Sequence, residues 1–266
     1  QEKLFDEKRH DLQAYEAQLS PDGKWLASCA GQWRYDTTSH PKETMGRVSL
    51  VNLNVRQQDY YIDEIEDEVR GIDFCPSNPE QIVVGDLQGT VRIWDVEQRR
   101  TIVQTVGKDG IRSVRYSPDG EVIAIGTRAG VEFRDAESLD LLASYGENSF
   151  SVDVAISPDS KLLAWARGYR IDLLRTGWPE SPELTLWKTL EGEPVSNVEF
   201  LPDGKTLATT NSNGSVTLWN LESGRDVVSV SAHGSSYATG LAASRDGNIL
   251  VSSGADNSIR IWRASK

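Results

Sequence analysis

The sequence predicts an all-β chain made of short four-stranded antiparallel sheets stacked as a ring. Three observations carry that prediction. A turn phrase, LSPDG at 19–23, returns as FCPSNPE at 74–80, YSPDG at 116–120, ISPDS at 156–160, FLPDG at 200–204 and, degraded, ASRDG at 243–247. From Pro21 through Pro76, Pro118, Pro158 and Pro202 to Arg245, the steps are 55, 42, 40, 44 and 43 residues. Each phrase is flanked by short runs with two-residue alternation and β-branched content, the pattern of strands. A period of this length marks a repeated supersecondary unit.

Within one unit the elements follow in order. A first strand leads into the phrase, as in IRSVRYS (111–117) and VSNVEFL (195–201). Pro-Asp-Gly then turns the chain, since proline presets φ and glycine accepts positive φ. A second strand leaves the turn, as in KWLASCA (24–30), QIVVGD (81–86) and KTLATTN (205–211). A third follows a small-residue turn: GTVRIWD (89–95), GSVTLWN (214–220), NSIRIWR (257–263). The fourth is less regular, as in RTIVQTV (100–106) and DLLASYG (140–146). Six units result, at about 1–62, 63–106, 107–146, 147–190, 191–231 and 232–266. A sheet that is apolar on both faces needs a neighbour on each side, and a closed ring supplies both.

The bulk numbers exclude several classes. The chain has 266 residues, 38% of them hydrophobic, with 40 acidic and 28 basic residues for a net charge of −12. Nucleic-acid affinity draws on phosphate neutralisation, so so acidic a chain is a poor nucleic-acid binder. The same reasoning disfavours anionic membrane surfaces. No apolar run approaches the roughly 20 residues of a membrane span, so a soluble chain is expected. The opening QEKLFDEKRHDLQAYEAQ lacks a signal-peptide core, and the absent first methionine is read as excision or processing. Two cysteines, Cys29 and Cys75, are too few for a disulfide scaffold or a cysteine-rich zinc site. They are expected as buried thiols in a reducing, cytoplasmic setting.

The repeated phrases, with third-strand endings Trp94-Asp95, Arg134-Asp135, Trp219-Asn220 and Trp262-Arg263, resemble the WD-repeat β-propeller family from about Lys3 to the C-terminus. The resemblance implies a single β-propeller of six visible units: six-bladed, or seven-bladed with one blade outside this sequence. The last unit stops after its third strand, SIRIWRAS (258–265). The family's habit implies that KLFDEK (3–8) supplies the missing outer strand, so that N- and C-terminal strands close the ring. The family also implies a buried chain of His, Ser/Thr, Asp and Trp, matched only in the last unit by His233, Ser252 (or Ser253), Asp256 and Trp262. These residues could also be read as a catalytic triad, but that needs an exposed nucleophile and an oxyanion site, so the structural reading is preferred. The other units, lacking the histidine, are expected to rely on packing.

No enzyme motif is present: GxSxG, HExxH and GxxxxGK[ST] are all missing, and His10 and His40 have no partners at metal-ligand spacing. No catalysis, cofactor or metal is therefore expected. The distinctive departure is an insertion in the first unit, GQWRYDTTSHPKETMGR (31–47), bearing Trp33, Arg34 and Tyr35. These residue types favour interface hot spots, although the loop could equally fold back with Trp33 as its plug. On the same face, the first-strand entry column reads Tyr15, Arg70, Arg112, Val152, Ser196 and Thr239. Two residues earlier stand Gln13, Glu68, Gly110, Phe150, Pro194 and Tyr237, while Arg128, Arg167 and Tyr169 come from second-to-third turns.

This mixed rim of arginines and aromatics is expected to bind a protein or peptide, with the isolated domain monomeric. The acidic run at Asp63, Glu64, Glu66, Asp67 and Glu68 is either solvated or steers a basic partner. Two alternatives stay open. Polar residues on or near the first strands, Glu16, Asp73, Arg115, Asp153, Asn197 and Glu199, could serve a channel ligand or enzyme without forming a recognisable catalytic set. Tyr15, Trp33, Tyr35, Phe150 and Tyr237 could form a methyl-lysine cage if they meet.

Overall fold

A computed structural model describes residues 13–31, 46–55, 59–62, 64–65, 67–146, 149 and 151–263. The first sheet holds β1 (Gln13–Leu19), β2 (Trp25–Gly31), β3 (Gly46–Asn52) and β4 (Tyr60–Ile62). The second holds β5 (Val69–Phe74), β6 (Gln81–Asp86), β7 (Thr90–Asp95) and β8 (Arg100–Val106). The third holds β9 (Ile111–Tyr116), β10 (Val122–Thr127), β11 (Val131–Asp135) and β12 (Leu141–Tyr145). The fourth holds β13 (Asp153–Ile156), β14 (Leu162–Arg167), β15 (Arg170–Arg175) and β16 (Thr185–Glu191). The fifth holds β17 (Val195–Phe200), β18 (Thr206–Asn211), β19 (Ser215–Asn220) and β20 (Arg225–Ser231). The sixth, among the described residues, has three strands: β21 (Ala238–Ala243), β22 (Ile249–Gly254) and β23 (Ile259–Arg263). Every sheet is an antiparallel meander in chain order, and the described residues form six blades of a β-propeller with first strands innermost. The expected outer strand at 3–8 lies outside the described residues.

The repeated turn phrase has a direct physical explanation. The serine hydroxyl two positions before the turn aspartate donates to it, at 2.6 Å for Ser20–Asp22, Ser157–Asp159 and Ser244–Asp246, the last with Arg245 in place of the proline. Its oxygen also accepts from the first amide of the second strand, at 2.9 Å from Trp25, 2.8 Å from Leu162 and 2.9 Å from Ile249. Gly120 closes one such turn at φ 79°, and Ser160 holds the same place at φ 59° without being glycine.

Blades pack by a constant rule. Val48 and Leu50 of β3 lie against Ile72, Phe74, Ile82 and Trp94 of the next blade, all buried. Val91 and Ile93 meet Val114, Tyr116, Ile123 and Ile125. Val131 and Phe133 meet Val154, Leu163 and Trp165. Ile171 and Leu173 meet Val198, Phe200 and Trp219. Around the axis, first-strand carboxylates accept backbone amides of the following blade: Glu16 from Ile72 (3.1 Å), Asp73 from Tyr116 (2.8 Å) and Asp153 from Val198 (3.1 Å).

Trp94 is a buried structural residue; its indole donates to the Tyr60 hydroxyl at 3.1 Å, and Tyr60 donates to the Val96 carbonyl at 2.8 Å. Asp95 accepts the Gln98 amide at 2.6 Å and caps the turn into β8. The histidine-free blades are expected to be held by packing more than by the histidine network, and the fifth adds side-chain hydrogen bonds of its own. There Trp219 donates to Thr209 (3.2 Å), and the buried Asn211 amide donates to Ser215 (2.8 Å) and Thr217 (3.0 Å).

Gly71 marks a close approach of the inner strands β5 and β9. A Cβ there would stand 2.8 Å from the Val114 backbone nitrogen and 3.0 Å from Ser113 Cα, both main-chain atoms. Gly71→Ala is therefore expected to destabilise the protein by about 1–3 kcal/mol, the usual cost of overpacking. A urea midpoint indistinguishable from wild type would contradict this close approach.

Candidate functional site at the channel mouth and interior

Five of the six first strands bulge at the same place. Pairing skips Tyr15 in β1, Arg70 in β5, Arg112 in β9, Ser196 in β17 and Thr239 in β21. A bulge residue falls outside the ladder and is re-aimed by the local bend. The column read from the sequence is thus a ring of bulge residues at one mouth of the channel, with Val152 just ahead of β13 completing it.

At this mouth the Arg70 guanidinium lies 3.9 Å from the Tyr15 ring centre and donates to the Tyr15 hydroxyl at 3.2 Å. Arg70 Nε also donates to Glu68 Oε1 at 2.6 Å. Glu68 is 1% exposed. This corrects its reading as part of a solvated acidic run: the carboxylate is the buried anchor of Arg70. Asp63 and Glu66 lie outside the described residues, and Glu64 is exposed. Burial, with Glu68 adding to it, pushes the Tyr15 phenol up to about 12. Burial first, and then the positive Arg70 and Arg128, lower Arg112 to about 10. Arg112 still carries its charge at neutral pH, in a field made unfavourable by like charges.

The other rim residues divide. Arg128, Tyr169 and Tyr237 are exposed, the tyrosines at 67% and 62%. Arg167 is engaged within its own blade, paired with buried Asp172 at 2.7 Å and donating to Ser149 at 3.0 Å. It is a cation tied into its own blade. Trp33, Arg34, Tyr35 and Phe150 lie outside the described residues, so of the five candidate cage aromatics only Tyr15 and Tyr237 are placed. Tyr15 already carries Arg70 on its face.

Below the mouth, the channel opens into a cavity of about 570 Å³ lined by Glu16, Arg115, Asp153 and Asn197 among others. Arg115 pairs with Glu16 at 2.7 Å and lies 3.6 Å from Asp153. Burial works against its charge, but Glu16, Asp153, Asp73 and Glu199 outweigh burial and raise its pKa. Burial raises Glu16, against Arg115. Burial likewise lifts Asp73 and Glu199 to about 7, only partly offset by Arg115. Sequence reading placed these residues near the axis; it missed that one guanidinium pairs with Glu16 and Asp153 and lies in the field of Asp73 and Glu199.

In the last blade a continuous hydrogen-bond chain runs through the sheet. Trp262 Nε1 donates to Ser252 Oγ at 3.4 Å, Ser252 lies 2.9 Å from His233 Nε2, and His233 Nδ1 lies 3.0 Å from Asp256. The Ser258 hydroxyl, then His233, hold the Asp256 carboxyl down to about 2. With Asp256 ionised, Nδ1–H donates to it and Nε2 accepts from Ser252. Ser252 is fully buried and His233 2% exposed, so no substrate reaches this serine, and the triad geometry is structural. Ser252 rather than Ser253 is the member.

A family profile described as WD domain, G-beta repeat, matches residues 61–95, 184–220 and 224–263. That match, with the ring of blades and the Trp262–Ser252–His233–Asp256 chain, identifies three stretches as WD repeats. The chain is similar to the WD-repeat β-propeller family. Among similar proteins, the human serine-threonine kinase receptor-associated protein is 28% identical over 149 residues, 56% of this chain and 42% of its own length. WD repeat-containing protein 1 of Xenopus tropicalis is 29% identical over 196 residues, 68% of this chain and 31% of its own. Telomerase protein component 1 of Rattus norvegicus is 28% identical over 196 residues, 72% of this chain and 7% of its own. The chain thus spans less than half the length of these relatives.

The carboxylates of the channel make stability depend on pH. Glu199 has a folded-state pKa of about 7, above its ordinary 4.5. Between these values the folded chain keeps a proton that the unfolded chain has released, so this group's contribution is full below pH 4.5 and is lost as pH rises through 7. Glu199→Gln should therefore melt several degrees above wild type at pH 8, at about 2–4 °C per kcal/mol for a chain of this size, and match it at pH 4. Equal melting temperatures at both pH values would refute the burial of this charge.

Proposed function

We propose that this WD-repeat propeller is a non-enzymatic interaction module that binds a protein or peptide at the bulge-lined mouth of its channel. The supporting observation is the convergence of Tyr15, Arg70 and Arg112 on one opening, beside exposed Arg128 and Tyr237. Arginine and tyrosine are favoured interface anchors, and loops held on closed sheets lose little freedom on binding. The family is generally non-enzymatic, and its members generally bind proteins. The reading extends to a cytoplasmic chain without nucleic-acid or membrane affinity, in keeping with the net charge of −12.

The ligand that suits this mouth is a segment with acidic or carbonyl-rich groups for Arg112 and Arg128 and an apolar side chain to lie on exposed Tyr237. A second reading, a small polar ligand inside the channel, is favoured by the 570 Å³ cavity and its mixed charge.

The test compares wild type with Arg112→Ala/Arg128→Ala/Tyr237→Ala in quantitative affinity capture from native lysate, with melting temperature as the check on folding. A partner enriched by wild type and reduced at least tenfold by the variant supports the mouth as the binding surface. Equal enrichment by both moves binding to another face. No enrichment by either favours the channel ligand, to be sought by mass spectrometry of the denatured native protein.

A further inference from the structure

At the end of the blades away from the channel mouth, one backbone position recurs. The residue after a third strand donates its amide to the residue before the second strand of its own blade: Val96 to Glu80 at 2.8 Å, Ala136 to Glu121 at 2.9 Å and Leu221 to Lys205 at 2.9 Å. At two interfaces its carbonyl accepts from the fourth strand of the preceding blade. The Tyr60 hydroxyl donates to Val96 at 2.8 Å, and Lys188 Nζ donates to Leu221 and Glu222, each at 2.7 Å. Tyr60 and Lys188 hold one register position, opposite Leu50 and Leu173 of their own sheets. The second blade breaks this pattern. Opposite Ile93 stands Val103, which has no hydrogen to donate to the Ala136 carbonyl. A cavity of about 520 Å³ opens there, lined by Ile93, Ile102, Ala136, Glu121 and Glu137 among others. Between the third and fourth blades Ala143 holds the register position, and Trp178 packs in beside it against Phe133, with ring centres 6.3 Å apart.

We propose that the cavity between the second and third blades binds an alkylammonium group, which supplies the donor that Val103 lacks. Lys188 shows the arrangement within the same molecule: an aliphatic stem crosses from one blade to the next, and the ammonium meets two successive carbonyls. At the cavity the equivalent carbonyls are those of Ala136 and Glu137. An ammonium carries three N–H donors and no acceptor, so a pair of carbonyls suits it, while Ile93 and the 40% exposed Ile102 offer apolar surface to the stem. Exposed Glu121 and Glu137 add attraction for a cation. Arg134, close to this site in the third blade, is already held by Glu132 at 2.7 Å and by the Leu139 carbonyl at 2.8 Å. The lining comes wholly from residues between 75 and 178, all described. The cavity lies at the opposite end of the first strands from the channel mouth, and neither proposal depends on the other.

The test follows the isoleucine methyl NMR signals of the whole chain during titration with n-butylammonium chloride, with 1-butanol at matched ionic strength as the uncharged control. The expected result is saturable shifts at Ile93 and Ile102, with an affinity at least tenfold above that of 1-butanol. Val103→Lys should fill the site from within, as Lys188 does, abolishing the shifts and raising the melting temperature. Glu121→Gln/Glu137→Gln, at exposed positions that leave folding intact, should weaken binding about two- to fivefold, the usual effect of exposed charges. Titrations with Nα-acetyl-lysine methylamide and 1,4-diaminobutane separate two sources of the group. Tighter binding of the blocked lysine assigns it to a protein side chain, and tighter binding of the diamine assigns it to a free amine. Equal affinity for 1-butanol and butylammonium would reduce the cavity to an apolar slot and overturn the proposal. So would shifts that never saturate, or shifts that persist unchanged in folded Val103→Lys protein.

Discussion

Each blade of this molecule is a sheet with two apolar faces, and it is the neighbouring blade that removes them from water. The fold depends on that dependence. Fully burying an aliphatic side chain contributes about 1.5–3 kcal/mol, so each covered third-strand pair, such as Val91 with Ile93 or Ile171 with Leu173, is comparable to a large part of a domain's net stability. Stability is therefore shared along the ring rather than held in one central core. At three interfaces, inner-strand carboxylates that accept amides from the following blade fix the rotation of one sheet relative to the next, something apolar contact alone does not specify.

The same stitching makes the axis unusual. Carboxylates gathered for structural reasons end up near one another, with Arg115 as the cation among Glu16, Asp73, Asp153 and Glu199. The arrangement is tolerable because protonation relieves it, and raised pKa values at Asp73 and Glu199 are the expression of that relief. At the mouth the order is reversed. Arg70 is neutralised by Glu68 and stacked on Tyr15, and Arg112 lies in the fields of both Arg70 and Arg128, which lower its pKa after burial. The channel thus runs from a basic entrance to an acidic interior over the length of one short strand.

Much of the fold was legible because turn chemistry is local. Ser-Pro-Asp-Gly closes its turn with contacts reaching no more than five residues, so the phrase alone announces it. The bulge column was legible as a register, since the strands share one period, and the last blade's His233 network followed from the family pattern. What was not legible depends on contacts made only in the fold, within a blade as well as between blades. Glu68 reads as one of several acidic residues in a row with Arg70 two positions on, and only the fold closes the Gly31 and Gly46 backbones over it, with Gly31 so near that a Cβ would stand 2.2 Å from Glu68 Cγ. Arg167 reads as a turn residue, and only the pairing of β14 with β15 reveals Asp172 as its partner. The Asn211 network was missed because asparagine does a job that the family pattern assigns to histidine.

The bulges carry one more consequence. A residue that the ladder skips contributes little to strand pairing and little to the buried faces between blades, so its identity is nearly free of the fold. Tyr15, Arg70, Arg112, Ser196 and Thr239 differ in size, charge and polarity, yet they occupy equivalent places on equivalent strands. The ring thus separates the positions that keep it standing from those that meet the outside. Descendants of one such scaffold can rewrite the rim residue by residue, acquiring new recognition while the architecture beneath stays unchanged.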